Sequence, residues 1–385
     1  MNPSAAEQIS RSKDWLSKRV FPLWLERGID HRGGAFVEAL SLKGEAIDLP
    51  RRALVQARQI YSFRTAARLG FIPENAAREI VGRAAGHLVD RYSVPSGAFI
   101  HSVDVAGKPH SERLDLYTQA FGLFGLANAY ALLHDEGLKK RASALAAYLS
   151  RERRAPDGGY TELENGAMVY RSNPHMHLFE AALAWKAVDP DPRWKTLADE
   201  VLELCLARFF DANSGSLCEN FQEGWALSRT DGRFFFEPGH HYEWSWLMLL
   251  HEEATGRDLS AARAALFRTA EEFGRGPQGD AMDEIWSDGA PKKKSSRFWP
   301  QCERIKAAVR MGARAPKSEQ ARFARAADEA AAALFRFFEV PTPGLWRDTR
   351  LESGAFREEP AKGSSLYHII NALDEYAAFR PVLTD

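Results

Sequence analysis

Apolar residues recur along this chain at intervals of three and four, the spacing that lines one face of a helix. Leu54, Ala57, Ile60, Tyr61 and the stretch Phe63 to Leu69 predict one largely apolar helix that stops at Gly70. Ala77, Ile80, Val81, Ala84 and Leu88 predict an amphipathic helix directly after it. The pairing continues at 117–133 with 138–149, 174–188 with 194–210, 239–253 with 261–273 and 300–311 with 319–338. An opening helix around 15–25 and a closing one around 367–379 bring the expected count to twelve.

Between the pairs lie glycine-centred segments that read as tight hairpins, such as Arg32-Gly33-Gly34, Pro95-Ser96-Gly97 and Asp157-Gly158-Gly159. With Gly34, Gly97, Gly159, Gly215, Gly279 and Gly344 as markers, the steps are 63, 62, 56, 64 and 65 residues, and the fifth copy is the weakest match. Six helical hairpins that cannot bury their apolar faces alone must stack on one another. One helix of each pair is nearly apolar all round and the other carries a wide charged face, which suits an inner and an outer layer. The expected fold is therefore all-α: an (α/α)6 barrel, one domain over 1–385, with short β-hairpins at one end. An open superhelix, the alternative, would need polar terminal caps, and the chain has none in view.

Composition narrows the function. The 385 residues are 45% apolar and 27% charged, with 51 Lys and Arg against 52 Asp and Glu. That balance suits a globular chain with a large core and lacks the concentrated positive field that nucleic acid or an anionic membrane requires. Cys205, Cys218 and Cys302 are too few and too scattered for a disulfide framework or a metal knuckle, and free thiols suit the cytosol. The segment Met1 to Glu7 has no basic-then-apolar signal, and the apolar run Trp244 to Leu250 is too short to span a bilayer. A cytoplasmic protein with a small-molecule partner is expected, as a monomer or homodimer.

The chemically capable side chains keep one phase relative to the markers. Arg58, Tyr117, His177, His240, Glu303 and His368 follow their marker glycines by 24, 20, 18, 25, 24 and 24 residues. All six fall near the start of an inner helix, so a closed ring points them at one pocket at one mouth. Pro174, Pro238 and Pro300 stand where a first-turn proline is tolerated. The partial positive charge of a helix N-terminus disfavours imidazolium, so these histidines are expected to be neutral. Glu180 lies three residues after His177 and Glu243 three after His240, each on its histidine's face, so each is expected to orient that ring.

A metal site is the obvious competitor. Residues two apart on a helix diverge by about 200° and adjacent ones by about 100°, so neither His175 with His177 nor His240 with His241 converges readily on one ion. One histidine of each pair is expected inside the pocket and the other to be structural or exposed, and no metal is expected. Most aromatic residues, Phe121, Trp244 and Trp246 among them, read as core, and a few near the mouth could stack on a sugar ring. Lys292-Lys293-Lys294 reads as a solvated loop.

Six segments, taken in order, make the chain similar to the N-acylglucosamine 2-epimerase superfamily of barrel-shaped sugar epimerases and isomerases. They are Val55-Gln56-Ala57-Arg58, Asp115-Leu116-Tyr117, Asn173-Pro174-His175-Met176-His177, Pro238-Gly239-His240-His241-Tyr242-Glu243, Phe298-Trp299-Pro300-Gln301-Cys302-Glu303 and Ser365-Leu366-Tyr367-His368. The last resembles the aldose–ketose isomerase branch more than the Pro-Phe-His form of the 2-epimerases. What the resemblance implies is mannose–fructose isomerisation without cofactor, with mannose 6-phosphate as a related substrate. His240 and His368 become the acid/base pair, Arg58 stabilises the oxyanion, and His177 binds or polarises the open chain. Tyr117, Glu180, Glu243, Trp299, Glu303 and Asp115 complete the substrate-binding set. The rival readings are a sugar 2-epimerase, a glycoside hydrolase using two of Asp115, Glu180, Glu243 and Glu303, and a non-catalytic sugar-binding toroid.

Overall fold

The computed structural model describes residues 4–164 and 167–383. Met1 to Pro3 of the N-terminal segment, Asn165-Gly166 and the last two residues lie outside the described residues.

Twelve long helices run through the described residues. Helix α1 covers Ala5–Trp15, passes through a π-turn at Leu16–Val20 and continues as Phe21–Arg27. After it come α2 (Ala53–Arg68), α3 (Glu74–Tyr92), α4 (Leu116–Leu133), α5 (Glu136–Glu152), α6 (Ser172–Lys186) and α7 (Pro192–Leu204). The second half holds α8 (Pro238–Thr255), α9 (Ser260–Phe273), α10 (Phe298–Arg314), α11 (Lys317–Phe337) and α12 (Leu366–Phe379). The even-numbered helices pack side by side in sequence, and α12 packs back on α2, so the inner ring is closed and the open superhelix is excluded. Odd-numbered helices clothe it from outside, with buried stripes such as Phe323, Ala327, Ala330 and Leu334 of α11.

Inner helices approach closely because small residues meet there. A Cβ placed on Gly125 of α4 would lie 2.7 Å from the Cβ of Ala57 on α2. Helix α1 begins ten residues earlier than its apolar pattern suggests. A capping box explains this: Ser4 Oγ accepts from the Glu7 amide and the Glu7 carboxylate accepts from the Ser4 amide at 2.7 Å. The three cysteines are buried and unbridged. Lys292 and Lys293 lie on a short exposed strand, Pro291–Lys293.

All six marker glycines have left-handed φ, between 65° and 99°. At Gly344 space is also lacking, since a Cβ would meet the Arg19 carbonyl at 2.6 Å. A polar side chain in the first turn of five inner helices grips the hairpin beside its marker. Gln56, Gln119 and Gln301 each accept the amide and donate to the carbonyl of Phe36, Phe99 and Ala281. His175 and His241 accept the amides of Tyr160 and Leu217 through Nε2, so these two histidines are structural, as the helical geometry required.

Neighbouring repeats are stitched by short antiparallel pairings between the hairpin of one repeat and the residues that lead into the preceding inner helix. Arg51–Arg52 pairs with Ser102–Val103, Tyr170–Arg171 with Asn220–Phe221, Phe235–Phe236 with Ile285–Trp286, and Ser296–Arg297 with Thr349–Arg350. Ala39–Leu40 pairs with Ala361–Lys362 and joins the first repeat to the last.

Candidate active site

The N-terminal ends of α2, α4, α6, α8, α10 and α12 surround a cavity of about 180 Å³ lined by Arg58, Tyr117, Asn173, His177, Glu237, His240, Glu243, Arg297, Trp299 and His368. Five of the six residues that share the marker phase therefore meet at one mouth. Glu303 does not line the cavity: it is wholly buried behind His368 and accepts that ring's Nδ1–H at 2.8 Å. Asp115 lines an adjoining compartment, where it caps α4 through the Thr118 amide and bonds His101.

Each catalytic-type ring has its own carboxylate. His177 Nδ1 meets Glu180 Oε2 at 3.0 Å, as the three-residue spacing predicts, and Glu180 also accepts the Tyr367 hydroxyl. His240 departs from expectation. Its Nδ1 lies 3.0 Å from both oxygens of Glu219, and Glu243 is not its hydrogen-bond partner. Glu219 stands on the hairpin that precedes α8 and is itself held by the Ser172 hydroxyl at 3.0 Å and the Glu237 amide at 3.1 Å. Trp299 lies between the two rings, with centroids 5.1 Å from His240 and 5.8 Å from His368. Arg58 donates to the Tyr117 hydroxyl at 3.0 Å and lies over Phe121 and Tyr367.

These surroundings divide the histidines by charge. Burial, with Glu180 only partly offsetting it, lowers His177 to about 4. Burial and the positive charges of Arg58 and Lys306 hold His368 well below the ordinary imidazole range. Burial also works against the charged form of His240, but Glu219, Glu237 and Glu243 outweigh it and raise that ring to about 9. The helix-dipole expectation of three neutral rings thus fails at His240, because nearby carboxylates act more strongly than a partial helix charge.

His177, Glu180 and Glu243 bring one ligand-type atom each within 4.8 Å of one another. A cation faces the cluster: Lys306, wholly buried on α10, ion-pairs with Glu303 Oε2 at 2.6 Å and is held charged, against burial, by Glu303, Glu243 and Glu180. Burial and the neighbouring Glu303 push Glu243 well above the carboxylate range. A divalent cation here would have to compete with a buried ammonium ion already facing the same carboxylates.

Residues 34–372 match the N-acylglucosamine 2-epimerase (GlcNAc 2-epimerase) family. The chain belongs to that family. It is 38% identical over 370 residues to a mannose-6-phosphate isomerase of Rhizobium meliloti (strain 1021), covering 94% of each chain. Among solved structures it is similar in fold to cellobiose 2-epimerase from Bacillus thermoamylovorans B4167, with a TM-score of 0.85 at 19% identity, covering 96% of this chain and 98% of that one. A D-mannose isomerase structure gives a TM-score of 0.83 at 19% identity, covering 97% and 96%. The family member described here is thus an enzyme of the sugar isomerase and epimerase class with an (α/α)6 barrel.

Sequence reasoning missed Glu219, Lys306 and Asn173 at and behind this cavity. A signal for Glu219 existed, because an acidic residue stands four positions after the marker glycine in four repeats: Glu38, Glu219, Asp283 and Asp348. Glu38, Glu219 and Asp283 each accept the amide at the approach to their inner helix, from Arg52, Glu237 and Arg297. In the first and fifth repeats the cation paired with that acid is an arginine; in the fourth it is His240.

Proposed function

We propose that this protein is an aldose–ketose isomerase that interconverts a mannose-configured hexose and its 2-ketose, with mannose and fructose as the parent pair. The observation that carries the reading is a pair of imidazoles on one sugar-sized cavity, His240 and His368, held in opposite protonation states. Two titratable groups pushed apart in this way are suited to be acid and base in one reaction. The mannose-6-phosphate isomerase relative supports isomerisation over epimerisation, and its name brings the phosphorylated hexose into the substrate class.

His368 donates Nδ1–H to Glu303 and so presents an unprotonated Nε2, the base that takes the C2 proton of the open-chain aldose. His240, with Nδ1–H on Glu219, presents Nε2–H to O1 as negative charge develops there. The permanent charge of Arg58 stabilises the enediolate. His368 then returns its proton to C1, and His240 recovers the proton of O2 as the new carbonyl forms. Tyr117, Asn173 and Trp299 hold the body of the sugar. His177, fixed by Glu180, contacts the open chain.

The test is product analysis by carbon NMR after incubation with mannose, fructose, glucose, N-acetylglucosamine and mannose 6-phosphate. Formation of a 2-ketose from a mannose-configured aldose supports the proposal. Conversion to the C2-epimeric aldose alone overturns it in favour of an epimerase, and release of reducing sugar from a disaccharide points to a hydrolase. Replacing His240 or His368 by Gln is expected to lower kcat by about 10²- to 10⁴-fold with an unchanged helical spectrum.

A further inference from the structure

Strand pairing closes five of the six junctions between repeats. Among the described residues the junction between the second and third repeats is the exception: Glu162–Glu164 pairs with Ala167–Val169 of its own repeat and not with the approach to α4. A cavity of about 280 Å³ occupies this gap. It shares Tyr117 and Asn173 with the catalytic cavity, so the two are compartments of one cleft. The wall between them carries an unanswered polar atom, the buried Oδ1 of Asn173, which has no hydrogen-bond partner.

The second compartment differs chemically from the first. Arg52, Arg113 and Arg171, from three separate segments, line it together with Asp115 and Glu164. Each guanidinium is steadied by a carboxylate. Arg52 uses Nε and Nη2 on Glu38, which lies outside the cavity lining; Arg113 uses Nε on Asp115 at 3.2 Å; Arg171 pairs with Glu164. A guanidinium has five N–H donors, so Arg52 and Arg113 each keep donors for a further oxygen ligand. Three forks fixed around one space form the arrangement that recognises phosphate. A second sugar ring would find a poor platform here, since among the described residues Tyr117 is the only Phe, Tyr or Trp in the lining.

We propose that this compartment seats an anionic substituent of the sugar, a phosphate monoester at the end of the hexose remote from C1 and C2. The proposal rests on the isomerase reading and narrows its substrate class. C1 and C2 must lie against His240 and His368, and about 180 Å³ leaves room for a monosaccharide body and little more. The far end of that body is directed past Tyr117 and Asn173 into the arginine-lined space, where the phosphate oxygens accept from Arg52 and Arg113 and the positive charge of Arg171 faces them. The unstitched junction leaves a way in from solvent.

The experiment compares kcat/KM for mannose 6-phosphate and mannose in the wild type, Arg113→Ala and Arg171→Gln. The wild type is expected to favour the phosphorylated sugar at least about tenfold. Each variant is expected to raise KM for it by about 10- to 100-fold, from the 1.5–3 kcal/mol typical of a hydrogen bond to a charged group. Turnover of unphosphorylated mannose should stay within about twofold, and inorganic phosphate should compete with mannose 6-phosphate. Equal efficiency on the two sugars, an equal loss on both in the variants, or a preference for a disaccharide over mannose 6-phosphate overturns the assignment. Calorimetric titration of mannose 6-phosphate into His240→Gln, with and without Arg113→Ala, separates this proposal from the reaction itself. Absence of turnover in the wild type together with Arg113-dependent binding sinks the isomerase reading and keeps the phosphate seat; binding indifferent to Arg113, and a KM for mannose 6-phosphate unmoved by Arg171→Gln, sinks the seat.

Discussion

His240 and His368 begin as identical side chains at the starts of two inner helices, and their neighbours push one above and the other below the ordinary imidazole range, as the proposed acid and base require. A group raised to about 9 stays protonated through neutrality and loses its proton as pH climbs through that value, so kcat/KM is expected to fall on the alkaline side near pH 9. Replacing Glu219 with Gln removes the nearest carboxylate. The alkaline limb of the pH–rate profile should then move down by about 1 to 3 units, toward ordinary imidazole behaviour; an unmoved limb would assign the charge of His240 to another source. Lys306 forms a wholly buried ion pair with Glu303, and Lys306→Met is expected to destabilise the protein by about 3–5 kcal/mol, read as a drop in denaturant midpoint at constant slope. The three pocket histidines and Arg58 were legible in the sequence because they share a phase on inner helices. The repeated acid after the marker glycine pointed to Glu219, but its pairing with His240 was not legible, since it reaches that ring from a hairpin 21 residues earlier, a contact that only the turn of the chain between them creates.

The helices follow local rules closely, and their departures have local causes: the Ser4–Glu7 box that starts α1 early and the π-turn within it. What ties helix to hairpin is a side chain in the first turn of an inner helix. Gln119→Ala leaves both the amide and the carbonyl of Phe99 without that partner in a buried position, and a loss of about 1–3 kcal/mol is expected. Gly344→Ala combines a strained φ of 99° with contact against the Arg19 carbonyl, so its melting temperature should fall as well. Gln56, Gln119 and Gln301 stand 22 residues after their markers, a regularity open to sequence reading, whereas His175 and His241 take the same role at other spacings and needed the structure to show it.

On the scale of the molecule, closure makes the parts depend on one another. Trp24 stacks on Trp346 at 5.2 Å and Trp15 on Phe338 at 4.1 Å, so the first helix is packed on the last repeat. A ring joined in this way is expected to unfold as one calorimetric unit, and Trp346→Ala should lower that transition by about 3–5 kcal/mol without splitting it. Activity is also expected to withstand EDTA, because Lys306 supplies the positive charge in the acidic cluster. Among the described residues no helix is long and apolar enough to cross a membrane. The sequence by itself determined the helices, their sixfold repetition and the phase that aims reactive side chains at one mouth, because periodicity and turn chemistry are local properties of the chain. The tertiary structure alone decided which carboxylate serves which histidine, which ring carries charge, and which junction is left open beside the cavity. Those are properties of distances between repeats, and electrostatic energies at a few ångströms change with each neighbour that folding brings in.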